Sequence, residues 1–187
     1  MRVILIDNND SFTYNLKHYI EQFASEVKVC RGSEIDLEFI DKYDKIILSP
    51  GPGLPYEHPV MSQILSYYYD KKPILGICLG HQAIAEFFNA NLENLKNVNH
   101  GITSIAKHFN NCKLFKNIPE KFKIGHYHSW VVSKNNFPEE LNITSKNEEG
   151  IITSLNHKKY DIAAVQFHPE SILTEYGIQL IRNWILD

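Results

Sequence analysis

One cysteine stands where it could act as a nucleophile. Cys78 joins an apolar run of strand length, residues 74–77, to residues 83–88, which read as the start of a helix. Gly76 and Gly80 flank it at two residues on either side, so the chain can turn sharply there without side-chain clashes. That is the pattern of a nucleophile elbow with Cys in place of Ser. The sulfur would project from a strand-to-helix turn close to the free N–H groups of the helix N-terminus, where the dipole favours a reactive thiolate. A free cysteine beside a glycine is equally at home as a small buried hydrophobe, and these residues alone do not decide between the two.

A nucleophilic thiol needs an imidazole to take its proton and an acid to orient that imidazole. Among nine histidines, His168 follows an apolar strand pattern, 162–167, and is locked by Pro169 ahead of Glu170. A rigid proline turn at a strand end positions a side chain well, and Glu170 is near enough to reach the same ring. His126 and His128 alternate with Tyr127, so on a strand they share one face. Two histidines could ligate a metal, but no third ligand is obvious and no metal is expected. His81, inside the first turn after the elbow, reads as structural. The run Pro50-Gly51-Pro52-Gly53-Leu54-Pro55 is a rigid loop whose glycines leave N–H groups open to close approach. Such donors can build an oxyanion hole, or the loop can be an ordinary tight connection.

The elements that would carry these residues fall into two textures. Residues 3–6 are a continuous apolar run, as in a strand buried on both faces of a parallel sheet, and end in Asp7-Asn8-Asn9-Asp10-Ser11. Asp10 or Ser11 can cap a helix that runs through Phe23. Strands follow at 27–30 and 46–49, with a short crossover at 35–40 and a helix over 58–69. Alternation of this kind argues an α/β fold, with an open, mostly parallel sheet flanked by helices. From residue 92 onward short strand patterns dominate, at 92–98, 103–107, 123–127, 131–133, 141–145, 151–154 and 162–167, and predict a smaller mixed or antiparallel β region. Residues 176–186 close the chain as an amphipathic helix. No linker, repeat or low-complexity stretch interrupts this order, so one domain is expected over 1–187.

Composition narrows the function classes. The net charge of −3 gives no electrostatic argument for nucleic-acid or membrane binding. Three cysteines, Cys30, Cys78 and Cys112, are too few and too dispersed for a disulfide framework, and no CxxC pair is present. A reducing, cytoplasmic setting is expected, with no signal peptide in the first residues and no apolar run of membrane-spanning length.

Three motifs carry a resemblance. GICLGHQ at 76–82, SPGPG at 49–53 and QFHPES at 166–171 resemble, in order and wording, the class I (triad) glutamine amidotransferase domain. IDNNDSFTYNL at 6–16 with HYHSW at 126–130 is similar to the glutaminase subunits of anthranilate synthase and of aminodeoxychorismate synthase. The resemblance spans essentially the whole chain and implies a flavodoxin-like fold. It implies that Cys78 attacks the side-chain amide of L-glutamine, with His168 as base and then acid, oriented by Glu170. The N–H groups of Gly51 and Leu79 match the oxyanion-hole positions. Gly53, Gln82 and the backbone around Ser129 and Trp130 match positions that hold the substrate.

The resemblance calls for no cofactor. It implies that ammonia passes to a separate synthase subunit that aminates chorismate, and that the isolated chain is poorly active. Two departures stand out. His100-Gly101-Ile102 replaces a common His-Gly-Lys, and Trp130 replaces a smaller aliphatic residue whose contribution is mainly backbone. The other readings are a stand-alone cysteine hydrolase of glutamyl substrates and a non-catalytic regulatory subunit. An intact Cys78, His168 and Glu170 argue against the latter.

Overall fold

The computed structural model describes residues 1–32, 35–109 and 112–187. In chain order the elements are β1 (Arg2–Asp7), α1 (Thr13–Glu21), β2 (Glu26–Arg31), α2 (Leu37–Ile40), β3 (Lys45–Leu48), α3 (Pro59–Tyr68), β4 (Ile74–Ile77) and α4 (Leu79–Phe87). They continue with β5 (Leu92–His108), β6 (Lys121–Val132), β7 (Leu141–Asn147), β8 (Ile152–His157), β9 (Ile162–Val165) and α5 (Gly177–Leu186). The strands form one sheet in the order β2-β1-β3-β4-β9-β8-β7-β5-β6.

Strands β2, β1, β3, β4 and β9 pair in parallel, and pairing turns antiparallel from β9 to β8 onward. The β-rich second half is therefore the continuation of the same sheet. The apolar runs of β1, β3 and β4 are buried on both faces, and their alternation sorts the core. Ile4, Ile6, Ile46 and Leu48 face α3 and α4, packing with Met61, Ile64, Leu65 and Ile84. Val3, Leu5, Ile47 and Leu75 face α1 and α5, packing with Leu16, Ile20, Ile181 and Trp184. This two-sided cover is what a parallel sheet requires.

Several boundaries differ from the sequence reading for identifiable reasons. The patterns at 92–98 and 103–107 are one long strand, β5. Its pairing with β6 shifts register between Asn94 and Asn99 and between His100 and Ile102, and these bulges break the apolar alternation. Likewise 123–127 and 131–133 merge in β6. Helix α1 has Phe12 as its N-cap, with no side-chain cap. Asp10 instead accepts from the Phe12 amide at 2.8 Å, and Asp7 takes the Thr13 hydroxyl at 2.8 Å, so the turn just before the helix absorbs the polar cluster. Helix α4 begins at Leu79, immediately after the elbow and four residues ahead of the apolar pattern. Among the described residues no helix is long and apolar enough to cross a membrane.

Candidate active site

Cys78 sits at the carboxyl end of β4, between β3 and β9 in the middle of the sheet. Its amide still belongs to the sheet, donating to the Val165 carbonyl at 2.8 Å, while its carbonyl already accepts from the Gln82 amide at 3.1 Å in the first helical turn. The residue adopts φ +51° and ψ −99°, a conformation that L side chains rarely take and that the surrounding structure must enforce. Enforcement comes from close approach. A Cβ at Gly80 would fall against the Leu48 carbonyl, and one at Gly76 would lie 2.5 Å from the Gly80 carbonyl oxygen. Only glycine lets β3, β4 and α4 meet here, and their meeting leaves the sulfur at the turn.

His168 arrives from β9. Its amide donates to the Gly125 carbonyl at 3.3 Å, and its carbonyl accepts from the Thr174 hydroxyl at 2.6 Å, so the Pro169 turn is tied at both ends. On the ring, Nδ1 pairs with Glu170 Oε1 at 2.7 Å, both side chains being buried. Tyr127 and Phe12 meet the imidazole edge-on, with centroids at 5.0 and 5.6 Å. With Nδ1 taken, Nε2 is the nitrogen left for the Cys78 sulfur. Burial pushes the imidazole down, but the Cys78 sulfur and the Glu170 carboxylate outweigh it and hold His168 well above the ordinary histidine range.

In front of the sulfur lies a cavity of about 170 Å³. Gly51, Gly53, Leu79, Gln82, Ser129 and Trp130 line it together with Cys78, Tyr127 and His128. The sequence-derived candidates thus converge on one space, with His168 and Glu170 behind it. Gln82 donates from Nε2 to the Trp130 carbonyl at 2.9 Å and to Gln166 Oε1 at 3.3 Å, which leaves only its own carbonyl oxygen for a ligand. Trp130 accordingly contributes backbone here, whatever its side chain. Ile102 is exposed on β5.

Gln166 is a member of the site that the sequence reading quoted without a role. It is fully buried and directs Nε2 at the Cys78 sulfur, 3.7 Å away. It stands one residue past the end of β9 and two before His168, and no local spacing rule marks it. His126 and His128 do share a face, and they bond each other: His126 Nδ1 lies 2.9 Å from His128 Nε2, and the Ser104 hydroxyl 2.7 Å from His126 Nε2. Burial pushes these two imidazoles down to about 4 and about 3, and His81 inside α4 down to about 3, so all three are neutral near pH 7. Their proximity to His168 therefore adds no positive charge that would oppose its imidazolium. A polarised thiol, a buried imidazole–carboxylate pair and nearby backbone amides together suit nucleophilic attack on a carbonyl carbon.

Comparison with known proteins bears on which carbonyl. The family model described as glutamine amidotransferase class-I matches residues 4–187. The chain is 42% identical over 186 residues to anthranilate synthase component 2 of Pyropia yezoensis, covering 98% of each. It is 40% identical over 185 residues to aminodeoxychorismate synthase component 2 of Klebsiella aerogenes, again covering 98% of each. It also matches, at 42% identity over 188 residues, 24% of a longer multifunctional tryptophan biosynthesis protein of Phycomyces blakesleeanus. A solved structure from Thermoplasma acidophilum superposes with a TM-score of 0.88 over 99% of this chain and 92% of that one, at 24% identity, which speaks to fold alone.

Proposed function

Because the chain belongs to the class I glutamine amidotransferases, we propose that it is the glutaminase subunit of a chorismate-aminating synthase, with Cys78, His168 and Glu170 as its triad. Cys78 passes its proton to His168 Nε2 and the sulfur attacks the side-chain amide carbon of glutamine. The oxygen of the tetrahedral intermediate takes the N–H groups of Gly51 and Leu79, where preorganised donors act on charge as it develops. The C–N bond breaks as His168 returns the proton to the leaving nitrogen, giving ammonia and a glutamyl thioester. Water, deprotonated by the same imidazole, then attacks the thioester carbon; glutamate leaves and the thiol is restored.

Gln82, Gly53 and the backbone at Ser129 and Trp130 hold the substrate. The size of the cavity supports a free amino acid as substrate, since it lies below the roughly 300–1,000 Å³ typical of sites for larger ligands. Ammonia passes to a separate synthase subunit that makes anthranilate or aminodeoxychorismate, as the names of the relatives suggest. The setting is the cytoplasm.

The observation that carries this reading is the joining of a strained Cys78, at one cavity, to a buried His168–Glu170 pair within a chain matched from end to end. Cys78→Ala in the complex with the synthase should abolish glutamine-dependent product while ammonia-dependent product continues. Glutamine-dependent synthesis surviving that substitution would sink the assignment.

A further inference from the structure

The loop that carries Gly51 cannot anchor itself. Pro50 and Pro52 on either side of Gly51 have no N–H to donate; beyond Gly51 the Pro52 carbonyl pairs with His58 Nε2 at 2.8 Å, and ahead of it the hold must come from outside the loop. Asn8, the buried residue after β1, supplies it. Its backbone N–H donates to Ser49 Oγ at 2.9 Å, and its side-chain Nδ2 donates to the Ser49 carbonyl at 3.0 Å and to Met61 Sδ at 3.4 Å. Ser49 Oγ in turn donates to the Pro50 carbonyl at 2.7 Å. Because the Ser49 carbonyl only accepts, it fixes which end of the amide faces it.

Past Pro50, the packing is equally tight. A Cβ at Gly51 would lie 2.7 Å from both the Asn8 Cβ and the Asn8 carbonyl oxygen, and 2.8 Å from Leu79 Cδ2. Asn8 is therefore the floor on which Gly51 rests, and Leu79, bearer of the other oxyanion donor, is the wall beside it.

We propose that Asn8, acting with Ser49, is a positioning residue that sets the Gly51 N–H at the distance from Cys78 at which it can stabilise the tetrahedral oxygen. This rests on the reading of Gly51 and Cys78 given above. Donors of this kind act over a narrow range of distances, and a displacement of about 1 Å can cost about a hundredfold in rate. Asn8→Ala keeps the Cβ and carbonyl on which Gly51 rests and removes only the side-chain amide that holds the Ser49 carbonyl; it should lower kcat for glutamine hydrolysis by about 10–100-fold with KM within about threefold, the pattern of an interaction made in the transition state.

The experiment compares wild type with Asn8→Ala, each in complex with the synthase subunit, in three measurements: glutamate release, alkylation of Cys78 by iodoacetamide, and inhibition by the aldehyde analogue of glutamine. Alkylation is a displacement at a carbon that develops no oxyanion, so its rate should hold. The aldehyde forms a thiohemiacetal whose oxygen occupies the oxyanion site, so its affinity should fall in proportion to kcat/KM.

Unchanged kcat would overturn the proposal. So would alkylation slowing in step with kcat, which would place the effect of Asn8 on the thiol or on the fold as a whole. If Asn8→Ala does not fold, Ser49→Ala, which deletes only the hydroxyl, is judged by the same criteria. A wild-type complex that releases no glutamate would instead remove the glutaminase reading on which the proposal stands.

Discussion

His168 Nδ1 and Glu170 Oε1 lie 2.7 Å apart, buried, with one rigid proline between their residues. The carboxylate does two things at once: it fixes the tautomer that turns Nε2 toward Cys78, and it helps hold the imidazole well above the ordinary histidine range. Glu170→Gln keeps the size and removes the charge. It should lower glutamine hydrolysis by about two to four powers of ten, by analogy with removal of the orienting acid from other triads. The basic limb of the kcat–pH profile should also move to lower pH, because the imidazolium proposed to protonate the leaving nitrogen is then lost earlier. A profile that falls in height without moving would show that Glu170 orients the ring without tuning it.

Gly80 tests whether the elbow is held by packing. A side chain there meets the Leu48 carbonyl and lies 2.8 Å from the Leu48 Cβ, all in well-packed core. Gly80→Ala should cost roughly 1–3 kcal/mol through overpacking. For a chain of this size that is a fall in Tm of about 3–10 °C. Gly101, at φ +68° with nothing within 4 Å of a built Cβ, is the control. Gly101→Ala carries only the left-handed backbone cost, roughly 1–2 kcal/mol, and leaves the elbow intact. The two variants separate in activity: Gly80→Ala should lose glutaminase activity even where it is still folded, since α4 and the Leu79 amide shift with it. Equal activity in both would mean that the elbow tolerates movement.

The reason these residues were legible in sequence is local. The elbow, the Pro-Gly loop and the His-Pro-Glu turn each confine their chemistry to a few consecutive residues, so glycine and proline spacing announces them. The parallel strands were legible for the same reason, as short apolar runs closed by turn residues. What sequence spacing does not show is contact at long range. Gln82 bonded to the Trp130 carbonyl, Gln166 aimed at Cys78, and Asn8 bonded to Ser49 each join segments separated by dozens of residues. The bulges of β5 were hidden too, because an extra residue resets the alternation on which a strand is recognised.

Trp130 offers a test of backbone against side chain. Its carbonyl takes the Gln82 amide, so replacing the indole should leave that bond in place. Trp130→Leu should change KM for glutamine by no more than roughly twofold, equivalent to about 0.5 kcal/mol. Gln82→Leu keeps the bulk but deprives both the Trp130 carbonyl and Gln166 of a donor in a buried place. Its KM should rise about tenfold or more, from the cost of unpaired polar groups. Steady-state glutaminase kinetics on the two variants decide the matter, and a larger effect from Trp130→Leu than from Gln82→Leu would reverse the assignment.

Three buried neutral imidazoles give the fold a specific weakness toward acid. Burial pushes His81, His126 and His128 down to about 3, about 4 and about 3, whereas in the unfolded chain each titrates near 6.5. As pH drops below 6.5 the unfolded chain binds protons that the native chain refuses, so stability falls. The limiting slope is about 1.4 kcal/mol per pH unit for each group until its native value is reached. His168 runs the other way. Its native value is raised, so what it contributes is complete below 6.5 and is lost as pH climbs through that higher value, outside the acid window. Urea unfolding between pH 7.5 and pH 4.5 should therefore show a steep decline in stability below pH 6.5. Burial also lowers His157, so His81→Leu, which takes one of these groups out of titration, should flatten that decline by less than a third if the groups act independently. A slope identical to wild type would mean that the His81 ring is protonated inside the fold or that other groups set the acid limit.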